Sequence, residues 1–216
     1  MKKGLYSLFF KRVIDILFSL LFIILFWWLF AIIAVLVRIN LGSPVLFVQD
    51  RPGKINLKTG KERIFHLYKF RTMTDNRNKD GELLPDSERL TSFGIWLRRT
   101  SLDEIPEMFN VLRGEMSLVG PRPLLVQYLP YYTEEERHRH DVRPGLSGLA
   151  QVNGRNLLKW GQRLALDVQY VNNITFLGDC KILFLTIKKV LCREDVAADT
   201  DSVESYLDQE RSAKNE

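Results

Sequence analysis

The pattern of hydrophobic positions sets one segment apart from the rest of the chain. From Ile16 to Val37, 22 residues follow one another without a charge, and Ser19 is the single polar side chain among them. As a helix this run would extend about 33 Å, the thickness of a bilayer's hydrocarbon core. A helix that is apolar on every face for about six turns seldom fits the core of a small domain. The run therefore predicts a membrane-inserted helix rather than a buried core helix or a cleaved signal peptide.

The flanks of this run favour a helix that bends and returns to the same membrane face. Basic residues stand on both sides of it: Lys2, Lys3, Lys11 and Arg12 before, and Arg38, Arg51, Lys54, Lys58 and Lys61 after. Because basic residues prefer the cytoplasm, a straight crossing would leave one basic flank outside. Residues 1–41 contain no proline to make a bend, and Trp27–Trp28 occupies the middle of the run. We expect a re-entrant helix, with a spanning helix as the alternative.

Behind this helix, strand-like segments and amphipathic segments follow one another. Aromatic and β-branched residues predict strands at Val45–Val48 and Ile64–Arg71, with a turn at Arg51–Gly53. The basic and polar residues Lys54–Arg63 between them predict a surface loop or a hairpin. Apolar periodicity predicts helices at Phe93–Arg99, Leu102–Leu112, Leu124–Arg139 (broken near Pro130), Leu157–Val171 and Leu177–Leu191. Because the strands are too few for a doubly wound sheet, the predicted fold class is α+β and α-rich.

Charge adds a third part to this division. The chain carries 31 basic and 26 acidic residues, a net charge of +5, whereas residues 193–216 carry eight acids and three bases. We expect a membrane anchor over 1–41, a basic folded domain over 42–192, and an acidic, disordered tail over 193–216. The two cysteines, Cys180 and Cys192, exclude a disulfide framework and a cysteine-rich metal site. The basic excess suits an anionic membrane surface or phosphate ligands, and no nucleic-acid-binding motif accompanies it.

The first motif that could carry chemistry is the heptapeptide Thr100–Pro106, in which Asp103 and Glu104 are adjacent. Carboxylates act as covalent nucleophiles in phosphoryl transfer, and their oxygens suit Mg²⁺. The same residues could instead begin a helix, with Asp103 as the N-cap or with Ser101 and Glu104 as a capping box. From the heptapeptide alone, this capping role is favoured.

Two further motifs combine arginine with residues that shape the backbone. In Gly120–Pro123, two prolines fix the backbone around Arg122, which suits phosphate binding; a rigid turn with a solvated arginine is the alternative. The segment His138–Arg155 is rich in glycine, so its backbone could approach a ligand closely. The spacing of His138 and His140 is not that of zinc ligands and predicts a surface pair.

The order of the motifs is more specific than any one of them. The chain contains KRVID (11–15), QDRPG (49–53), YKFRTM (68–73), SLDEIP (101–106), VGPRP (119–123) and RPGLSGLAQVNGR (143–155). This set, over residues 10–191, resembles the bacterial sugar transferase family of monotopic polyprenyl-phosphate phosphoglycosyl transferases, especially its small single-domain members. Anchors of that family commonly carry a Ser-Pro pair at mid-helix, where this chain has Trp27–Trp28.

The resemblance implies a reaction and a site. A phosphosugar would pass from a UDP-sugar to undecaprenyl phosphate with release of UMP, at the cytoplasmic face of a bacterial inner membrane, as the first membrane step of a glycoconjugate pathway. By resemblance, Asp103 is the covalent nucleophile, and Asp103 and Glu104 hold Mg²⁺. The positions that match substrate-binding residues of the family are Lys69, Arg98, Arg122, Arg155 and Asp179. Within this set, catalysis by Asp103 is favoured over capping.

Two other functions remain open beside the transferase. One is a membrane-anchored nucleotide-sugar hydrolase, in which water replaces the lipid acceptor. The other is a non-catalytic module that binds anionic lipid or nucleotide-sugar, which needs the basic residues but not Asp103. The apolar run predicts a lipid bilayer as a partner, and the resemblance implies a UDP-sugar and undecaprenyl phosphate. Neither names the sugar or the pathway, and a homo-oligomer is left open.

Overall fold

The chain behind the N-terminal helix folds around two small sheets. The structure is a computed structural model that describes residues 4–154, 158–192 and 206–212. Strand β1 (Leu46–Asn56) pairs antiparallel with β2 (Lys61–Phe70), so that the two strands form the predicted hairpin. Strands β3 (Ser117–Val119) and β4 (Gly145–Ser147) form a short parallel pair.

Helices supply most of the remaining elements, which confirms the α-rich α+β class. The α-helices are α1 (Lys11–Leu41), α2 (Asp86–Arg89), α3 (Ser92–Arg99), α4 (Glu107–Arg113), α5 (Glu134–Arg137), α6 (Leu149–Val152), α7 (Trp160–Asn172), α8 (Phe176–Cys192) and α9 (Leu207–Ser212). Three 3₁₀ segments, Leu102–Glu104, Val126–Tyr131 and His138–Asp141, connect them. The main core lies between β2, β3, α4, α7 and α8, with Val111 and Met116 fully buried.

The apolar run forms the long helix α1, which is kinked near its middle. Phe26 leaves helical geometry, with φ −113° and ψ 16°. The kink lies one residue before the Trp27–Trp28 pair and forms without proline. Beside it, the indole N–H of Trp28 donates to the carbonyl oxygen of Leu25 at 3.0 Å. This hydrogen bond links a side chain to the backbone directly beside the kink.

Both halves of α1 pack against the same domain. Near its start, Arg12 donates to the carbonyl oxygens of Val111 and Leu112 at 2.6 and 2.9 Å. Asp15 accepts from the backbone N–H of Leu118 at 3.0 Å. The second half belongs to a buried cluster of Ile33, Val37, Leu41, Phe70 and Leu97. Both halves of α1 therefore contact one domain, and the re-entrant form of the helix stays a prediction.

The other face of α1 is uncovered. The helical segment Tyr6–Leu41 is long and apolar enough to cross a membrane, and only 11% of its most apolar stretch is buried against the domain. Large side chains at mid-helix point outward, among them Leu21, Ile24, Leu25 and Trp27. An uncovered apolar surface of this extent indicates contact with lipid, and a soluble domain rarely leaves one exposed to water.

Three predicted elements differ from the structure. The turn expected at Arg51–Gly53 lies inside β1, where the register with β2 shifts between Pro52 and Ile55 and so accommodates the missing N–H of proline. The helix expected over Leu102–Leu112 is divided into a 3₁₀ turn and α4, with Pro106 between them as the N-cap residue of α4. The helix expected over Leu124–Arg139 is two 3₁₀ segments around the single α-helical turn of α5.

The end of the chain also differs from its prediction. Residues 206–212, expected to be disordered, contain helix α9, whose Leu207 is fully buried and whose Arg211 pairs with Glu136 at 2.6 Å. The prediction of disorder is therefore wrong for this segment, since a buried leucine and an ion pair hold it on the domain. Residues 193–205 and 213–216 lie outside the described residues.

Candidate active site

Asp103 lies in a tight turn between α3 and α4. The turn begins at Ser101, whose φ of 54° and ψ of 20° place it in the left-handed region. This conformation costs a non-glycine residue about 1–2 kcal/mol, and such strain is concentrated at functional sites. Neither this turn nor α4 receives a side-chain cap hydrogen bond among the described residues. The capping role that the heptapeptide favoured is therefore wrong, and Asp103 is buried for another reason.

The residues around Asp103 form a network of charges from four segments of the chain. The Oε1 atom of Glu104 accepts from Nζ of Lys69 and from Nη2 of Arg122, each at 2.6 Å. Lys69, near the end of β2, also pairs with Glu107 of α4 at 3.3 Å. The structure thus brings together four of the predicted site residues, Asp103, Glu104, Lys69 and Arg122, and adds Glu107.

The two adjacent carboxylates differ in their surroundings. Burial raises the pKa of Asp103 to about 6, and the charge of Glu104 adds to this against Lys69, Arg122 and Arg98. Burial also acts against ionisation of Glu104, but Arg122 and Lys69 outweigh it and lower the pKa of Glu104. Among the described residues, none forms a hydrogen bond to the carboxylate of Asp103. Glu104 is therefore held as an ionised partner of two cations, whereas the Asp103 oxygens remain available for chemistry.

Arg98 approaches Asp103 from α3. Its Nε donates to Oγ1 of Thr72 at 3.0 Å, and its charge lowers the pKa of Asp103. Helix α3 packs closely against the residues that follow β2 because residue 94 is glycine. A Cβ atom at position 94 would lie 1.8 Å from the carbonyl oxygen of Thr72. The predicted site residue Arg98 therefore lies beside the network, positioned by this close contact.

Arg122 lies in a turn that is held from behind. Buried Arg139 donates to the carbonyl oxygen of Arg122 at 2.7 Å and pairs with Asp167 of α7 at 2.8 Å. Arg51 of β1 donates to the carbonyl oxygen of Pro123 at 3.2 Å. The side chain of Arg122 is 40% exposed, so it can meet a ligand while its backbone is fixed. The turn is rigid, and its arginine pairs with Glu104 instead of standing free in solvent.

The glycines of the third motif serve backbone packing. A Cβ at Gly145 would lie 2.0 Å from the nitrogen of Gly120, and one at Gly148 would lie 2.3 Å from the carbonyl oxygen of Gly120. These contacts join β4 to the end of β3, directly before the turn that carries Arg122. At Gly145 and Gly148 the chain itself fills the space that a side chain would need, and the expectation that this segment approaches a ligand stays a prediction.

The histidines of the same motif do not form a surface pair. His138 is exposed and its Nδ1 lies 2.9 Å from Oδ2 of Asp141. His140 is buried, with Nδ1 3.2 Å from the carbonyl oxygen of Gly53, and burial lowers its pKa to about 3. A neutral imidazole therefore packs against β1, and the prediction of a surface position holds for His138 alone.

Of the predicted site residues that the structure describes, Asp179 does not join the network. Asp179 of α8 is buried elsewhere, where its Oδ2 accepts from Nζ of Lys11 at 2.5 Å and from Tyr6 at 2.7 Å, and its Oδ1 accepts from Tyr170 at 2.8 Å. These contacts tie the start of the membrane helix to the domain, so the substrate-binding assignment of Asp179 finds no support in its position. Arg155 lies outside the described residues.

Comparison with known proteins identifies the family. The model of the bacterial sugar transferase family matches residues 6–193. The chain belongs to the bacterial sugar transferase family. It is 54% identical over 160 residues to the uncharacterized sugar transferase EpsL of Bacillus subtilis (strain 168), a match that covers 74% of this chain and 76% of that protein.

Two further relatives carry more specific names and are longer. The chain is 40% identical over 193 residues to an undecaprenyl-phosphate glucose phosphotransferase of Komagataeibacter xylinus, covering 83% of this chain and 35% of the relative. It is 38% identical over 191 residues to a UDP-N-acetylgalactosamine-undecaprenyl-phosphate N-acetylgalactosaminephosphotransferase of Aeromonas hydrophila, covering 85% and 44%. This sugar transferase thus spans less than half the length of these two relatives.

Some residues that support this site of the sugar transferase carry little signal in the sequence. Glu107 is 2% exposed and pairs with Lys69. In the sequence it looks like an ordinary acidic residue in the first turn of a helix, where the helix dipole favours a negative charge. The Arg139–Asp167 pair joins residues that are 28 positions apart, for which a single sequence carries no signal. The nearest available signal for Glu107 was its spacing of three from Glu104, which favours one helical face.

The carboxylates suit the predicted magnesium ion. Asp103 and Glu104 offer oxygen ligands, and a cation beside them would oppose the burial that raises the pKa of Asp103. No group of three or more histidine, cysteine or acidic side chains within the described ranges forms a metal cage. This donor set fits Mg²⁺, which is commonly bound by one or two carboxylates together with substrate phosphates and water.

Proposed function

We propose that this sugar transferase moves a phosphosugar from a UDP-sugar to undecaprenyl phosphate. The observation that carries the proposal is the buried Asp103 carboxylate, which accepts no hydrogen bond from the described residues yet lies among Lys69, Arg98 and Arg122. The relatives named above support undecaprenyl phosphate as the acceptor, and a UDP-sugar appears in the name of one of them.

The first step forms a bond between Asp103 and the donor. An Asp103 oxygen attacks the phosphorus that carries the sugar, and the bond from that phosphorus to the bridging diphosphate oxygen breaks. The bridging oxygen and its electron pair leave with UMP, and a phosphosugar remains on Asp103. Asp103 must be ionised to attack, and a pKa of about 6 keeps it ionised at neutral pH.

The second step returns Asp103 to its starting state. An oxygen of the undecaprenyl phosphate attacks the same phosphorus, and the bond to Asp103 breaks. The products are undecaprenyl-diphospho-sugar and the free carboxylate. Two successive displacements at one position mean that the enzyme need not hold both substrates at the same time.

The basic side chains offset the negative charge of both substrates. Arg122 is partly exposed and presents a guanidinium suited to two phosphate oxygens, while Lys69 lies deeper and is held by Glu104 and Glu107. Asp103 and Glu104 would hold Mg²⁺, which supplies further electrostatic stabilisation of phosphate charge when bound. Glu104 positions Lys69 and Arg122 through its two 2.6 Å contacts.

A membrane-inserted α1 would hold this chemistry at the depth of the acceptor phosphate. α1 contacts α4, which follows the Asp103 turn, and the uncovered apolar face of α1 would enter the lipid. A kinked, re-entrant α1 would keep the domain on the face where UDP-sugars are made, the cytoplasmic side of the inner membrane. The location is part of the proposal and predicts that position 5 is inaccessible to an impermeant periplasmic thiol reagent after Leu5→Cys.

The experiment that tests the reaction separates its two steps. Detergent-purified protein is mixed with Mg²⁺ and UDP-glucose, UDP-galactose or UDP-N-acetylgalactosamine, first without and then with undecaprenyl phosphate. We expect up to one equivalent of UMP and a phosphosugar adduct on Asp103 without lipid, followed by turnover when lipid is added. The Asp103→Asn variant controls for adventitious adducts.

Other outcomes would favour the other functions. Continued UMP release without lipid would indicate the hydrolase. Binding of the donors without any UMP would indicate the non-catalytic module and would contradict the proposal.

A further inference from the structure

The C-terminal helix α9 contacts the segment that carries Arg122. Leu207 is 0% exposed and completes a small cluster separate from the main core. The other buried members of that cluster are Leu124, Tyr128, Tyr132, Trp160 and Leu164. Leu124 stands one residue after the end of the Gly120–Pro123 motif, so a side chain from the end of the chain supports the backbone that leaves the Arg122 turn. The family match ends at residue 193, before α9 begins.

Polar contacts fasten α9 along the same segment. Arg211 donates from Nη1 and Nη2 to the carboxylate of Glu136 at 2.7 and 2.6 Å, and also to the carbonyl oxygen of Tyr131. Gln127 donates to Oδ2 of Asp208 at 2.9 Å. The bidentate pair is the stronger contact, because charge-assisted, two-point hydrogen bonds fix direction as well as distance.

The braced segment is attached to Arg122 at both ends. At its start, Pro123 joins Arg122 covalently to Leu124. At its end, Arg139 returns to donate to the carbonyl oxygen of Arg122 at 2.7 Å. The backbone of Arg122 is therefore one link of a closed loop, residues 122–139, and α9 packs on the middle of that loop without contacting Arg122 itself.

We propose that α9 is an intramolecular brace that positions Arg122 for the donor phosphate. Leu207 and Arg211 are positioning residues, since they act through the 122–139 loop and touch neither Asp103 nor Glu104. Detachment of α9 leaves the loop without its buried leucine and its ion pair, so that Arg122 samples more orientations and binds phosphate less well. The inference rests on the proposed transferase function for its kinetic consequence, but the brace itself is a property of the fold.

A matched pair of substitutions on α9 tests the brace in the full chain. Leu207→Asp places a charge inside the cluster, whereas Gln209→Asp places the same side chain on the exposed face of the same helix. The donor is whichever UDP-sugar the unchanged protein turns over in the assay above. We expect Leu207→Asp to raise the donor KM about tenfold, as for a loss of 1.4 kcal/mol in binding, with kcat nearly unchanged. Gln209→Asp should match the unchanged protein.

Hydrogen exchange gives a readout that does not depend on activity. The amides of residues 124–132 should exchange faster in Leu207→Asp than in Gln209→Asp, because local opening governs exchange there. If Leu207→Asp does not fold, Arg211→Gln removes the ion pair from a partly exposed position and should raise the donor KM about threefold, with Arg211→Lys restoring part of it.

The outcomes separate failure of the brace from failure of the proposed function. An unchanged protein that binds the donors but forms no UMP contradicts the transferase, while the exchange comparison still decides the brace. Equal KM values and equal exchange in Leu207→Asp and Gln209→Asp would overturn the brace, as would a loss of kcat at unchanged KM.

Discussion

Asp103 and Asp179 are both buried acids that face a lysine or arginine, and the family resemblance marked both as site residues, yet their oxygens are used differently. Both oxygens of Asp179 are occupied by Tyr6, Lys11 and Tyr170. The Asp103 carboxylate accepts no hydrogen bond from the described residues, and burial raises its pKa to about 6. A carboxylate whose hydrogen bonds are all made holds a structure together, whereas one surrounded by cations at a distance is available to a substrate or a metal.

The largest expected effects are opposite for the two acids: substitution of Asp103 should lower activity and spare stability, and substitution of Asp179 should do the reverse. Asp103→Asn removes the nucleophile, and we expect UMP formation to fall by at least about a thousandfold. The thermal midpoint in detergent should stay level or rise, because a buried carboxylate without a hydrogen bond costs stability that a neutral amide does not. Activity assays and thermal unfolding on the same sample measure both. If Asp103→Asn lost as much stability as Asp179→Asn, Asp103 would be a structural acid like Asp179.

Asp179→Asn should show the reverse. It leaves Lys11 without its buried partner, and breaking such a pair costs about 3 kcal/mol in folding free energy. The donor-only step should persist in the folded fraction, because Asp179 lies outside the network around Asp103. Chemical unfolding and UMP release after addition of donor measure the two properties, with Asp50→Asn, at an exposed position, as the control. A stable but inactive Asp179→Asn would restore the substrate-binding assignment.

Glu107 is intermediate between Asp103 and Asp179, because it is 2% exposed and has one lysine partner. Burial raises its pKa to about 7, above its ordinary value. The folded state therefore holds a proton that the unfolded state releases, and stability falls as pH rises from about 4.5 to about 7. We expect Glu107→Gln to flatten this fall and to be more stable at pH 8 by about 1 kcal/mol.

Unfolding of Glu107→Gln at pH 5, 7 and 8 checks this sign, and Glu88→Gln, on the surface, is the matched control. If the stability of both variants follows the pH dependence of the unchanged protein, Lys69 fully compensates the charge of Glu107. Glu107 would then be a structural acid like Asp179.

The two acids also show what sequence reasoning can reach. The family resemblance of the motif set predicted Asp103, Glu104, Lys69 and Arg122 as site residues, and the structure brings these four together. The resemblance missed the partners of Asp179, which lie 168 and 173 positions away in the first helix. Contacts between residues so far apart in the sequence depend on how α1 bends, and no proline in the sequence indicates the bend. The docking of α9 likewise depends on one leucine within an acidic tail, where composition alone predicts disorder.

The smallest effect concerns the kink that lets α1 reach Asp179 at one end and β2 at the other. Trp28→Phe keeps an aromatic ring but removes the N–H that donates to Leu25, while Trp27→Phe, at a more exposed position, changes size alike and serves as the control. The lost hydrogen bond is worth about 1 kcal/mol. We expect Trp28→Phe alone to shift the helix towards a straighter form, seen as faster hydrogen exchange around Phe26 and partial labelling of a Leu5→Cys site from the periplasm. If the two variants showed the same hydrogen exchange and the same labelling, packing of both helix halves on the domain would hold the kink without the indole. The two variants share those packing contacts.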